Sequence, residues 1–324
     1  MMNTAFVFNA CSPLFQKEIN ELNHFQQTYG QNDAVQAWVI SRESDELPKQ
    51  AQQIVIPIIK LVQVRDETDE EEILAALLQV YRQEMPDCVI FPSNLFGTSL
   101  VVRFSVRSGG TSCMSVIVCE NSSEGLIVTK PVYANNLTAS FRMKRKPYCF
   151  SVAKIAIRKV WKPPIEHTVT IMEPIVTNER NSHVLSYEFH QTETGAPLDS
   201  AEKVLALGKG VKKQEHLHEL EKAANQLGLE IGVSRPVAMN GWADMNRLIG
   251  ASGKLLSPRL CIAAGVSGSQ AFTVGIRDSR FIVSINQDEY APIHKIADVA
   301  IIDDYQEVLK ALFPLIEQQT VEGV

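Results

Sequence analysis

Four loops in the last third of the chain place small or charged residues directly behind short apolar runs. After KVLAL comes Gly208-Lys209-Gly210, after EIGV come Ser234 and Arg235, after RLCIAA comes GVSGS (Gly265 to Ser269), and after FIVSI comes Asn286. Unbroken apolar runs of this length read as strands buried on both faces, and in open α/β sheets ligands bind beyond the carboxyl ends of such strands. Glycines there let a backbone approach a phosphate closely, and the amides of a following helix offset its charge. Each loop also reads as an ordinary turn. GVSGS departs from G-x-G-x-x-G, Arg235 suits a surface ion pair, and Asn286 suits a turn cap. The residues alone give an α/β chain with a candidate nucleotide site and leave its chemistry open.

Other chemistries find little support. G-x-S-x-G and H-E-x-x-H are absent, and His216 and His218, two residues apart in EHLHEL, fall on different helix faces, so no metal site is expected. The net charge of −6 offers no general attraction to nucleic acid, and the one dense basic run, Arg142 to Pro147, reads as a solvated turn. The acidic run DETDEEE reads as a helix N-terminus favoured by its dipole. Six scattered cysteines without C-x-x-C suit a reduced, cytoplasmic setting, and no apolar stretch nears the ~20 residues that span a bilayer.

The elements that must position these loops are legible from periodicity. TAFVFNA, AVQAWVIS, QIVIPII and DCVIFP read as strands between helices. In the first helix Phe15, Ile19, Leu22 and Phe25 share one face, with Gly30 as its stop. Thr68 with Glu71 three residues on reads as a capping box opening a second helix, and a third ends at Gly109 and Gly110. β-rich sequence follows. At 324 residues, 45% of them hydrophobic, two domains are expected. The reading is an N-terminal α/β domain over 1–162 with a mostly parallel sheet, a connection over 163–198 with one or two extended pieces, and a C-terminal doubly wound, Rossmann-like domain over 199–324.

In order and spacing, GLEIGVSRPVAMNGW, LIGASGKLLSPRLCIAAGVSGSQAFTVGIRDSRFIVSINQDEYAPI and ADVAIIDD resemble the C-terminal FAD domain of the electron-transfer flavoprotein alpha subunit. That family's pattern runs G-A-S-R-P, Q-x-G-Q-T-G-K, G-I-S-G-A-I-Q-H, I-N-K-D-x-x-A-P-I-F and A-D-Y-G. IFPSNLFGTSLVVRFSVRSGG and KPVYANNLTASF are similar to its N-terminal segments, and divergent bacterial alpha-like members fit best.

The resemblance implies FAD contacts at Lys209, Ser234, Arg235, at Ile249, Gly250, Ala251 and Ser252, at Ser267, Gly268, Ser269, Gln270, Ala271 and Phe272, and at Asn286 and Asp304. Loop amides and serines would hold pyrophosphate, Asn286 and Asp304 the adenosine end, and Arg235 would lie against the isoalloxazine. Ala251 replaces a glutamine, and Ala271-Phe272 stands where the family has Gln-His, which implies a lost hydrogen bond to the flavin and a lower reduction potential. It further implies a carrier rather than a stand-alone enzyme, paired with a beta-like subunit, taking electrons from a dehydrogenase and passing them to a flavin or iron–sulfur oxidoreductase. Two rivals remain. One is a nucleotide-binding scaffold or regulatory protein with weakened flavin binding. The other is a nicotinamide enzyme, disfavoured by the missing G-x-G-x-x-G with an acid ~20 positions on.

Overall fold

The computed structural model describes residues 2–29, 34–43, 45–133, 137–154, 166–172, 198 and 201–322. The chain divides into two compact units, Met1–His190 and Gln191–Val324.

In the first unit β1 (Asn3–Asn9), β2 (Ala34–Arg42), β3 (Ile58–Val64), β4 (Cys88–Phe91), β5 (Thr111–Val116), β9 (Tyr148–Val152) and β10 (Thr168–Met172) form one sheet in the order β10-β3-β2-β1-β4-β9-β5. Every pairing in it is parallel. Period-two alternation sends Phe6 and Phe8 of β1 to one core and Ala5 and Val7 to the other. Helix α1 (Phe15–Tyr29) seals the first core with the four residues predicted for its buried face, and α2 (Glu70–Glu84) and α3 (Leu95–Ser108) seal the second. An antiparallel meander of β6 (Val118–Ser122), β7 (Gly125–Val132) and β8 (Leu137–Met143) adds Leu126, Val128 and Met143 to the α1 side.

Three local readings change. The strand expected over QIVIPII begins only at Ile58, because Pro57 has no N–H for a sheet ladder; Ile54 and Ile56 are nevertheless fully buried. The cap of α2 is Asp69, whose carboxylate accepts from Glu71 N–H at 2.9 Å, while the Thr68 hydroxyl donates to Asp66 Oδ1 at 2.6 Å. A carboxylate at the positive end of a helix dipole outcompetes a hydroxyl already engaged upstream. β10, lying inside the expected connection, is an edge strand paired with β3. The Gly30 stop lies outside the described residues. Asn94 and Gly109, the latter at φ 74°, cap α3, so its predicted stop stands. The basic run is tied down by ion pairs, Arg142 with Glu124 and Lys146 Nζ with Asp87 Oδ1 at 2.6 Å.

The second unit has five parallel strands, β11 (Lys203–Leu207), β12 (Glu230–Val233), β13 (Leu260–Ala264), β14 (Ile282–Ile285) and β15 (Val299–Ile301), in the order β12-β11-β13-β14-β15. The chain leaves β11 for α4 (Gln214–Gln226), whose Leu217 and Ala224 pack with Leu205 and Leu207. It leaves β13 for α6 (Gln270–Thr273), whose Phe272 packs with Val204 and Ala206 on the opposite face. The strands β11 and β13 therefore flank the topological switch point, where a doubly wound sheet opens a crevice. Helix α5 (Arg235–Met239) follows β12, and α7 (Tyr305–Glu322) closes the unit. No helix among the described residues is long and apolar enough to cross a membrane.

The first unit has its own switch point, between β1 and β4, and two carboxylates of α1 fill it. Glu18, 1% exposed, accepts from Asn9 N–H at 2.7 Å and Asn94 Nδ2 at 2.6 Å. Glu21 accepts from Ser93 Oγ at 2.7 Å. Burial pushes Glu18 up to about 7, against the opposing pull of those hydrogen bonds, and raises Glu21 as well. A carboxyl raised in the fold holds its proton where the unfolded chain has lost it. Its contribution to stability is complete below the ordinary value of 4.5 and is lost as pH rises through about 7. Urea denaturation from about pH 5 to about pH 8 should show stability falling by about 3 kcal/mol from this group. Glu18→Gln should flatten that slope; an unchanged slope in the variant would refute the assignment.

Candidate functional site: a cationic cavity at the switch point

The C-terminal ends of β11 and β13 meet backbone to backbone. A Cβ on Gly208 would come within 2.1 Å of the Gly265 carbonyl oxygen, and one on Gly210 within 2.7 Å of Gly265 Cα. Only glycine permits this approach, and Gly265, at φ 63°, also needs glycine's freedom to turn. Above this contact lies a cavity of about 680 Å³, bounded by the loops after β11, β12, β13 and β14. That size is typical of small-molecule sites.

Its charge is unbalanced. Lys209, Lys212 and Arg235 line it against one carboxylate, Asp288. Asp288 is itself held, since its Oδ1 accepts from Tyr290 N–H at 3.0 Å. Arg235, at the start of α5, donates from Nη2 to Ser252 Oγ, which fixes the guanidinium across the opening and leaves the Ser252 proton free for another acceptor. Ser234 is 8% exposed and lines the cavity, and among the described residues its hydroxyl has no hydrogen-bond partner. A hydroxyl that opens on the cavity can donate to, or accept from, a ligand held there.

The loop after β13 presents Ser267 and Ser269 to the cavity. Gly268, at φ 85°, faces away, and a Cβ there would come within 2.2 Å of Ile293 N. Ala271 and Phe272 line the far wall with Ile249, and Phe272 is 5% exposed, so its ring is both wall and core. Gly250 and Ala251 brace this wall without lining it, Ala251 N–H donating to the Ala271 carbonyl at 2.7 Å. Gln270, exposed at the start of α6, is also outside the lining.

Asn286 lines the cavity while bridging two loops. Its Nδ2 donates to the Val266 carbonyl at 2.8 Å, and its Oδ1 accepts from Asp288 N–H at 3.0 Å. His294 supports the same turn, with Nδ1 2.8 Å from Ser284 Oγ and Nε2 3.1 Å from the Asp288 carbonyl oxygen. Asp304 does not line the cavity. It caps α7 through Gln306 N–H at 2.8 Å and holds Gln287 Nε2 at 2.7 Å, so its acceptors serve the fold.

Ten of the residues expected at the site thus converge on one cavity: Lys209, Ser234, Arg235, Ile249, Ser252, Ser267, Ser269, Ala271, Phe272 and Asn286. Gly250, Ala251, Gly268, Gln270 and Asp304 stand behind or beside it. The reading of the sequence missed Lys212 and Asp288, the two further charges. Asp288 was accessible as the acid two residues past Asn286, at Asx-turn spacing. No sequence signal separates Lys212 from Lys213.

The arrangement suits an anionic ligand that also carries an apolar part. Cations and glycine backbone line the cavity, and Ile249 and Phe272 supply apolar wall.

Comparison with known proteins agrees with this chemistry. Residues 197–277 match the family model described as the electron transfer flavoprotein FAD-binding domain. The chain is 34% identical over 244 residues to YgcQ of Escherichia coli (strain K12), classed among electron transfer flavoprotein subunits, covering 75% of this chain and 82% of that protein. It is 28% identical over 244 residues to the electron transfer flavoprotein subunit alpha of Bacillus subtilis (strain 168), covering 75% of each. It is also 28% identical over 263 residues to subunit LctC of the NAD(+),ferredoxin lactate dehydrogenase of Acetobacterium woodii, of which it spans 62%, against 77% of this chain. With its parallel α/β units and the matched FAD-binding domain, the chain belongs to the electron transfer flavoprotein alpha-subunit family.

Proposed function

We propose that the second unit binds one FAD in the switch-point cavity and that the chain serves as the alpha-like subunit of an electron-transfer flavoprotein. It would pair with a beta-like subunit in the cytoplasm and carry electrons from a dehydrogenase to a flavin or iron–sulfur oxidoreductase, altering no substrate carbon itself. The observation that carries this reading is the convergence of Lys209, Lys212, Arg235 and the unpartnered Ser234 hydroxyl on one cavity with a glycine floor. FAD supplies reversible electron uptake at its ring system.

The chain's residues would bind and bias that group. Arg235 stays cationic at any working pH, and its bond to Ser252 limits its freedom, so its charge is preorganised where a reduced flavin would gain negative charge. Phe272 and Ile249 exclude water from that wall and offer no hydrogen bond. Asn286 keeps the loop after β13 docked to the end of β14, which fixes the width of the opening.

Two outcomes test this reading. The purified chain, alone or with its partner subunit, should be yellow or should take up added FAD stoichiometrically, and Arg235→Ala should weaken that uptake by tenfold or more, on the order of 1.5 kcal/mol for a charge-assisted contact. Colourless protein that refuses added FAD would favour a scaffold of the same fold. Phe272→His should place a donor on the wall and raise the flavin midpoint potential by roughly 65 to 130 mV, the one-electron equivalent of a hydrogen bond to a charged group. A potential unchanged in a variant that still binds FAD would remove Phe272 from the tuning of the cofactor.

A further inference from the structure

Lys212 stands out by its backbone. It sits at φ 63°, ψ −34°, one of four non-glycine residues with positive φ among the described residues, and outside the ordinary left-handed basin. Lys213 N–H donates to the Val211 carbonyl at 2.7 Å, which closes a three-residue turn around Lys212. A γ-turn of positive φ is rare and strained for an L-residue. Such strain persists only where the surroundings over-determine it.

They do so here. The Val211 carbonyl that closes the turn also accepts from the Tyr305 hydroxyl at 3.2 Å, and His216 Nδ1 lies 3.3 Å from it. Tyr305 is 6% exposed at the start of α7, and His216 stands on α4, so two helices converge on one carbonyl. Upstream, Val211 N–H donates to the Gly208 carbonyl at 3.1 Å and Lys212 N–H to the Lys209 carbonyl at 3.1 Å. The γ-turn joins this tight turn to the start of α4. Lys212, at the centre of the γ-turn, lines the same cavity as Lys209.

We propose that Lys212 is a ligand-binding residue, a second cation that grips the anionic linker of the dinucleotide together with Lys209, and that Tyr305 is a positioning residue that locks the strained turn presenting it. The inference rests on the FAD reading for the identity of the ligand, while the strain and its lock belong to the chain itself. The phosphate linker, rather than the ring system, is the part of the ligand that Lys212 meets. The γ-turn is backbone strain retained for the placement of one charge.

The test uses the full chain, with FAD and ADP as anionic probes and adenosine as the uncharged control, by calorimetric titration at low and moderate salt. Lys212→Met removes the charge and keeps the strain; Lys212→Gly removes both. Both should raise the Kd for FAD and ADP about tenfold, weaken the salt dependence, and leave adenosine unaffected. Only Lys212→Gly should raise the melting midpoint of the ligand-free chain, by a few degrees, because glycine adopts positive φ without strain. Tyr305→Phe should weaken ADP binding in the native background and have no further effect in Lys212→Met. Wild-type affinity in both Lys212 variants, or a lowered midpoint in Lys212→Gly, or an undiminished Tyr305→Phe effect in Lys212→Met would overturn the proposal. Wild-type chain that binds neither FAD nor ADP would overturn the FAD reading and this inference together. Wild-type binding with indifferent variants would overturn this inference alone.

Discussion

The contact on which the second unit depends is that between Gly208, Gly210 and Gly265, where two loops from neighbouring strands touch without side chains. It fixes how closely the ends of β11 and β13 approach, and hence the floor of the cavity. The helices that follow diverge to opposite faces, so the loops turn away from each other and open a crevice. Everything lining that crevice is placed relative to this floor. Ser234 and Arg235 come from the strand on one side, and Ser267, Ser269 and Asn286 from strands on the other. A methyl group at Gly208 would drive the floor apart and misplace all of them.

Around the floor, polar side chains act as braces as often as ligands. Asn286 spans two loops, Asp304 caps a helix and holds Gln287, and His294 joins Ser284 to the turn that carries Asp288. Residues with fewer such duties, above all Ser234, Lys209 and Lys212, with Arg235 held only by Ser252, are those left for a ligand. A buried group with every bond made inside the protein has little left to offer, whereas a hydroxyl that opens on the cavity can exchange water for a ligand atom.

This division explains what was legible in the sequence. Ser234, Arg235, Ser267 and Asn286 could be placed because each follows a short apolar strand, and strand ends in a doubly wound sheet share one edge. Asp304 also follows a strand, but α7 begins one residue later, and the demand of its free amides takes the carboxylate. Thr68 and Asp69 show the same ambiguity at smaller scale: both suit a cap, and the choice rests on Asp66 engaging the threonine first. Lys212 was out of reach because its direction is set by a dihedral angle that Tyr305, 93 residues away in sequence, helps to hold. The parallel sheets were the easiest part to read, since strands buried on both faces need unbroken apolar runs.

The two units also show how little topology alone decides. Both are parallel sheets with a switch point, and in both a helix follows the strand beside it. In the first, Glu18 and Glu21 reach into the crevice and occupy Asn9 N–H, Asn94 and Ser93, the donors an anion would need, with carboxyl oxygens of the protein's own. In the second, the donors stay open and three cations surround them. An anionic nucleotide meets donors already taken in one crevice, and cations with open donors in the other. Specificity between two sites of like architecture therefore lies in which side chains the helix after the first strand carries, carboxylates inward in α1 and only apolar or half-buried residues inward in α4. That choice, made within one helical turn of each crevice, separates a closed structural unit from one able to hold a charged cofactor.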